Sequence, residues 1–387
     1  MIRNVILAII LLSQCAIWFV LDNPFSTENT KSETVAKHQL DDVPISDVER
    51  IEVAASTATL RLSKKEGVWC VENTFGYPAI QENVQKALTE IQPLSKSEFR
   101  NAKPFLHRDL EVDEQRGTKI RLFGKGGKLI EDLVIGKRDV ANSGGTFVRR
   151  RNEDAVFVTR AKNLESAFSV VPRNWIDLGV WDFPSADQQR VTDLKLGAHR
   201  VEVEGYERET SQNRGNRQRF RFVMEFVPRD LKTKREESWK VVEPADKSDL
   251  ELSDLMVRSM VTSMLNMKTQ EVLSNGTRPE YKLDDPDEVE VRVTVHFKDN
   301  GLATTRTMEI GARRAISPLS TNRSQTYYLK VRHPGGRLKQ NFVHAVAASY
   351  LAVMQRGPES YVDHRREKAR KDAEEKLRLK KEAEKNK

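Results

Sequence analysis

A chain of 387 residues with 38% hydrophobic and 32% charged residues is long enough for two or three domains with modest cores, part of it solvated. Its formal net charge of +8 comes from Lys and Arg interleaved with Asp and Glu along the whole length, so no single basic element with neighbouring aromatics marks a nucleic-acid face. Two cysteines, Cys15 in an apolar run and Cys70 in an expected strand, exclude a disulfide framework and any zinc-ligand spacing.

Val5–Leu21 is apolar apart from Ser13 and Gln14, with Arg3 before it and Asp22 after it. Seventeen residues lie at the short end of the roughly 17–25 that span a bilayer. The flanking charge orients the amino terminus inward and the rest outward. Residues 1–22 therefore read as a single retained anchor. A cleaved signal would need small residues at its site, and Ser13-Gln14-Cys15 is a poor version of one. A lipidated Cys15 is disfavoured by Gln14 before it and the apolar run after it. Residues 23–44 are polar and read as a linker.

The first unit is placed at residues 45–185. Val48–Val53 alternates as a half-buried strand, Thr59–Leu62 is a second strand, Lys64–Gly67 is a turn, and Val68–Val71 with Trp69 is a third strand. Ile80, Val84, Leu88 and Ile91 make the apolar face of a helix that Pro93 ends. Lys119–Phe123 and Leu129–Ile135 form a hairpin about Gly124–Lys128, and Phe147-Val148 and Val156–Val158 form another about residues 151–154. A short helix over Asn163–Val171 closes the unit. Trp175, Trp181 and Phe183 in the connector Asn174–Pro184 are expected to form a dry seam between the units.

The second unit, 186–356, retraces these steps. Val191–Leu196 is expected to answer Val48–Val53, Trp239 to answer Trp69, Leu283 to answer Leu110, and Ile310-Gly311 to answer Ile135-Gly136. The Tyr327–Val331 strand answers the Phe147 strand. Leu252, Met256, Met260 and Met267 mark its main helix, and Phe342, Val346, Tyr350 and Val353 its closing helix. Residues 206–237 read as an insertion containing the Arg/Asn/Gln-rich loop Ser211–Arg219. The spacing between paired landmarks only grows along the chain, as insertions into a duplicated unit require. Residues 357–387 form a charged tail, helical or disordered, with Ala369, Ala373 and Leu377 at four-residue spacing.

No catalytic constellation stands out. Gly124–Lys128 lacks the spacing of a phosphate loop and is followed by a strand. The histidines His38, His107, His199, His296, His333, His344 and His364 never fall at i,i+3 or i,i+4, and His296 reads as a surface or edge residue. Asp284–Glu288 lacks the glycine and distal glutamate of a calcium loop and reads as an exposed turn. Arg149–Arg151 and Arg313-Arg314 read as solvated basic runs, with contact to anionic headgroups or an acidic partner as the alternative. We therefore assign no catalytic, cofactor-binding or metal residue.

The strand Val48–Val53, the Gly67-Val68-Trp69 strand entry, the helix Ile80–Ile91, Ile135-Gly136-Lys137 and the strands at Phe147–Arg149 and Val156–Val158 together resemble the domain-of-unknown-function family DUF4340. The likeness covers about Ile45–Ser185 and, less closely, Arg190–Val353. It implies an anchored extracytoplasmic protein, often encoded beside an ABC-type exporter and its gliding-motility-like auxiliary subunit, and it carries over no catalytic residue. The insertion and the charged tail depart from the simple pattern. The expectation is an α+β protein of two tandem related units, each an antiparallel sheet packed by one main helix, behind a single transmembrane helix. Its role would be a non-enzymatic accessory or scaffold at the cytoplasmic membrane, its bulk periplasmic and its partners proteins of a transport complex. Binding of an envelope lipid or polymer is the alternative.

Overall fold

The computed structural model describes residues 39–140, 144–161, 164–213, 215–229, 232, 237–315, 325–334 and 339–385. The expected anchor Val5–Leu21, His38 and Cys15 lie outside the described residues. Among the described residues no helix is long and apolar enough to cross a membrane. The chain divides into two compact units, one running to Trp69 and then Gln81–Asn174, the other Cys70–Ile80 and then Trp175 onward.

The first sheet contains β1 (Arg50–Ala54), β2 (Thr59–Lys65), β3 (Val68–Val71), β4 (Tyr77–Pro78), β5 (Glu98–Asn101), β6 (Thr118–Phe123), β7 (Leu129–Arg138), β8 (Thr146–Arg150) and β9 (Val156–Val158). Between β4 and β5 lies helix α1 (Gln81–Ile91), and after β9 the short α2 (Leu164–Ala167). The Lys64–Gly67 turn closes because Glu66 and Gly67 both take left-handed backbone, φ 50° and 85°, which matches the twist of a two-residue hairpin. Helix α1 buries Val84, Ala87, Leu88 and Ile91, the face that its spacing predicts. Its first residue is tied to the tryptophan strand: Trp69 N–H donates to Gln81 Oε1 at 2.8 Å, and Gln81 Nε2 donates to Trp69 O at 3.1 Å.

The second sheet is preceded by α3 (Gln188–Gly197) and starts with β10 (Ala198–Tyr206), β11 (Arg219–Val227), β12 (Ser238–Glu243) and β13 (Glu251–Leu252). Helix α4 (Asp254–Leu265) follows, then β14 (Glu271–Asn275), β15 (Val291–Asp299), β16 (Leu302–Arg313), β17 (Thr326–Arg332) and β18 (Phe342–Ala347). Helix α5 (Ala348–Met354) and the charged α6 (His364–Lys385) end the described chain. Here too the tryptophan is tied to the first residue of the main helix, Trp239 Nε1 donating to Asp254 Oδ1 at 3.0 Å.

The two sheets have the same strand order. The first reads β4-β3-β2-β1-β6-β7-β8-β9-β5 and the second β13-β12-β11-β10-β15-β16-β17-β18-β14, which is the same list advanced by nine strands. All the ladders are antiparallel. Both copies keep the same irregularity. The β7–β8 register slips between Ile135 and Arg138, and the β16–β17 register slips between Ile310 and Arg313. The fold is thus α+β and mostly sheet, with two related antiparallel units.

Several assignments within the second unit need correction. Val191–Leu196 is helical, because Asp187 accepts from Arg190 N–H at the helix start and the buried residues Val191, Leu194 and Ala198 recur at three and four. The strand that answers β1 is β10, where Arg200-Val201-Glu202-Val203 matches Arg50-Ile51-Glu52-Val53. Strand β11 answers β2, so residues 206–237 are not wholly inserted; the additions are the loops on either side of β11. Leu283 answers Val112 rather than Leu110, since Gly136 faces Leu110 O and Val112 while Gly311 faces Tyr281 O and Leu283. Glu111 and Lys282, between those pairs, are both left-handed at φ 58° and 53°.

Helix α4 buries Val257, Met260, Val261, Met264 and Leu265, whereas Leu252 is in β13, Met256 faces outward and Met267 follows the helix. Phe342 and Val346 belong to a strand, β18, whose apolar run is buried on both faces and so has no period of two to distinguish it from helix. The aromatic connector supplies Trp181 and Phe183 to the core of the second unit itself.

Candidate functional site

A cluster of ionisable groups, with Arg306, His333, Lys339 and His344 buried, lies in the second unit around the segment Ile176–Ser185. Apolar burial of Trp181 and Phe183 draws this segment in, and its polar atoms must then find partners. Asp177 accepts from Gly179 N–H at 3.1 Å and from Ser185 N–H at 2.8 Å. Lys339 Nζ donates to Gly179 O at 2.8 Å and stands 3.6 Å from Asp177 Oδ2. Trp181 Nε1 donates to Met264 O at 2.8 Å. Beyond it, Arg306 Nη1 donates to Asp182 Oδ1 at 2.7 Å and lies over the rings of Trp181 and Phe183.

Two histidines complete the set. His333 Nδ1 is 3.4 Å from Asp182 Oδ2, close enough to feel its charge but without the direction of a hydrogen bond. His344, wholly buried on β18, has neither ring nitrogen bonded among the described residues. Tyr77 meets it edge-on at 5.8 Å and Phe342 at 4.9 Å, while Lys339 lies 5.7 Å from the centre of the Tyr77 ring.

Burial governs the protonation of this cluster. It pushes His344 down to about 3, with the Lys339 charge adding to the effect. It lowers His333, which Asp182 partly offsets, and lowers Lys339 against the pull of Asp177. Burial acts to raise Asp177, but the hydrogen bonds from Ser185 and Gly179 and the charge of Lys339 outweigh it and hold the carboxyl below its usual range. Both histidines are therefore neutral at pH 7, and the arrangement is a polar clamp that fixes Ile176–Ser185 to the sheet. The residues come from five separate stretches of chain, which is why no motif announces them. The one local signal is Asp182 set between Trp181 and Phe183.

The outer sheet faces carry a second pattern, present in both copies. Glu52 on β1 lies within 2.5 Å of Arg121, 3.6 Å of Arg61 and 3.9 Å of Arg50. Glu202 on β10 lies 3.0 Å from both Arg200 and His296 and 3.8 Å from Arg221. His296 is thus on a central strand and not at an edge.

The basic runs expected as free surface are largely engaged. Arg149 is buried, its Nε donating to Val112 O at 3.0 Å and its Nη1 to Arg151 O at 2.6 Å and Glu153 O at 2.9 Å. Arg150 pairs with Glu131, Arg151 with Glu114, and Arg314 with Glu271. Gly124–Lys128 is the turn between β6 and β7, with Gly126 and Gly127 left-handed. Asp284–Glu288 is an exposed turn in which Asp287 pairs with Arg219. His107 is bonded to Asp154 O, and His364 is exposed beside Glu367. Among the described residues no group of histidine, cysteine and carboxylate side chains is placed to hold a metal ion.

Residues 69–255 match the family model of the domain of unknown function DUF4340. This stretch belongs to the DUF4340 family. The match starts at the tryptophan of β3 and ends at the beginning of α4, later than Ile45 and well short of Val353, so it takes in parts of both units. Comparison with curated proteins and with solved structures returned no match.

Proposed function

We propose that this DUF4340 protein is a membrane-anchored, extracytoplasmic accessory subunit that binds other proteins of a transport complex and performs no catalysis of its own. The order of the chain carries the reading: a positively flanked apolar run, a polar linker, then two copies of one sheet unit. The ionisable groups of this cluster support it, because Lys339, Asp177, Arg306 and Asp182 are spent on one another and on main-chain atoms of the fold. The outer faces offer charged side chains in fixed positions, a surface suited to register with a partner of complementary charge. In this role the anchor sets the distance from the membrane, and the paired units present two related faces to an ABC-type permease or its auxiliary subunit.

The test is recovery of the full-length protein from gently solubilised membranes, with a Val5–Leu21 deletion as control. The expected result is stoichiometric recovery of permease and ATPase subunits with the full-length form only. Membranes that yield the protein alone would end the accessory reading.

A further inference from the structure

In the first unit β1 and β2 are joined by residues 55–58 alone, whereas in the second their counterparts β10 and β11 are separated by residues 207–218. This added loop is internally braced. Glu207 N–H donates to Gln218 O at 2.9 Å, Thr210 N–H and Oγ1 reach Asn213 Oδ1 at 2.7 and 3.0 Å, and Asn213 Nδ2 donates to Arg208 O at 3.0 Å. The loop walls a groove of about 430 Å³ whose opposite side is formed by the ends of β16 and β17 and by α5. That volume falls within the roughly 300–1,000 Å³ of small-ligand sites.

The charges along the groove are unequally used. Arg217 is committed: its two terminal nitrogens grip Glu290 at 2.6 and 2.9 Å, and its guanidinium lies over Tyr206. Glu209, the other carboxylate of the lining, is likewise engaged. Arg208, from the braced loop, and Arg313, from the register slip at the end of β16, have no ion-pair partner among the described residues. Two guanidiniums without an ion-pair partner among the described residues thus line one concavity, a combination suited to a tetrahedral oxyanion, whose oxygens planar forks can grip. Ser211 and Gln325 line the same space and add neutral donors.

We propose that this groove binds a phosphate group, with Arg208 and Arg313 as its charged ligands. The group is borne either by a lipid headgroup or by a small soluble phosphate. The site depends on the added loop, so the first unit, which has Arg138 at the position of Arg313, does not share it. It is independent of the accessory role, since neither the anchor nor any protein partner contributes to it.

Calorimetric titration of the full-length protein in a non-ionic detergent tests this, with inorganic phosphate, glycerophosphoglycerol and acetate as probes at matched ionic strength. Saturable binding of a phosphate probe is expected, tighter than that of acetate. It should weaken at least about tenfold in R208A/R313A and stay unchanged in R138A, with thermal unfolding confirming that both variants fold. Tighter binding of the diester assigns the headgroup as the source, and tighter binding of inorganic phosphate assigns a free phosphate. The proposal is overturned if no probe binds below roughly 10 mM, if acetate binds as well as phosphate, or if R208A/R313A binds like the parent.

Discussion

Gly136 and Gly311 hold one place in the two sheets, each pressed against the main chain of the loop that precedes its hairpin. A Cβ at Gly136 would stand 2.2 Å from Leu110 O, and a Cβ at Gly311 would stand 2.1 Å from Tyr281 O. Neither obstacle is a flexible side-chain end, so the loop or the strand would have to move. G136A and G311A should each lower stability by about 1–3 kcal/mol or more, read from urea midpoints. G126A meets no atom within 4 Å but sits at φ 68°. It should cost only about 1 kcal/mol, all of it from the backbone.

His344 makes stability depend on pH in a definite direction. Folded, it stays neutral down to about 3; unfolded, it takes up a proton below the ordinary 6.5. The unfolded chain therefore binds more protons between those values, and the folded state loses ground as pH falls from 6.5 toward 3. The loss is complete at the lower end and absent above 6.5. Tyr77 and Lys339 face the ring, and a second positive charge beside Lys339 is unwelcome. H344L should be less sensitive than the parent to a drop from pH 7.5 to 5.0, by about 2 kcal/mol. Urea unfolding followed by tryptophan fluorescence would show this, and equal pH sensitivity in the two proteins would refute it.

Arg149 closes the β8–β9 hairpin from within, its guanidinium serving four main-chain carbonyls. A lysine has one nitrogen in place of three and cannot span them. R149K should lose about 1.5–3 kcal/mol, and amide exchange in β8 and β9 should accelerate ahead of that in β1 and β6.

Lys339 and Asp177 should behave as a coupled pair. K339M leaves Asp177 with its donors from Ser185 and Gly179, and D177N leaves Lys339 with the Gly179 carbonyl. The double variant should be more stable than the sum of the single losses implies, by about 0.5–3 kcal/mol in a thermodynamic cycle. Strict additivity would show that the two side chains stabilise the segment separately.

Where a local rule decides an element, the sequence reading and the structure agree. The Lys64–Gly67 turn, the α1 face at Val84, Leu88 and Ile91, and the correspondence of Ile135-Gly136 with Ile310-Gly311 were all legible. The failures are equally physical. Leu194 and Leu196 stand two apart as in a strand, but the buried Val191, Leu194 and Ala198 recur at three and four, and the Asp187 cap decides for the helix. Phe342–Ala347 is buried on both faces and carries no period at all. The clamp was not legible because Tyr77, Asp177, Arg306, His333 and Lys339 meet only when the chain has folded. The groove was half visible: the Arg/Asn-rich loop stood out, but Arg313 came to it through a bulge in a strand that sequence places only approximately.

The loop between β10 and β11 leaves and re-enters the sheet at strands whose ladders are complete without it. Its length and composition can therefore drift without disturbing register or core. A duplicated unit of this kind gives selection a protected scaffold in one copy and a rewritable segment in the other. Descendants of the same ancestor could then acquire different ligands while keeping one architecture, and differences between them would concentrate in a dozen or so residues beside an otherwise constant sheet.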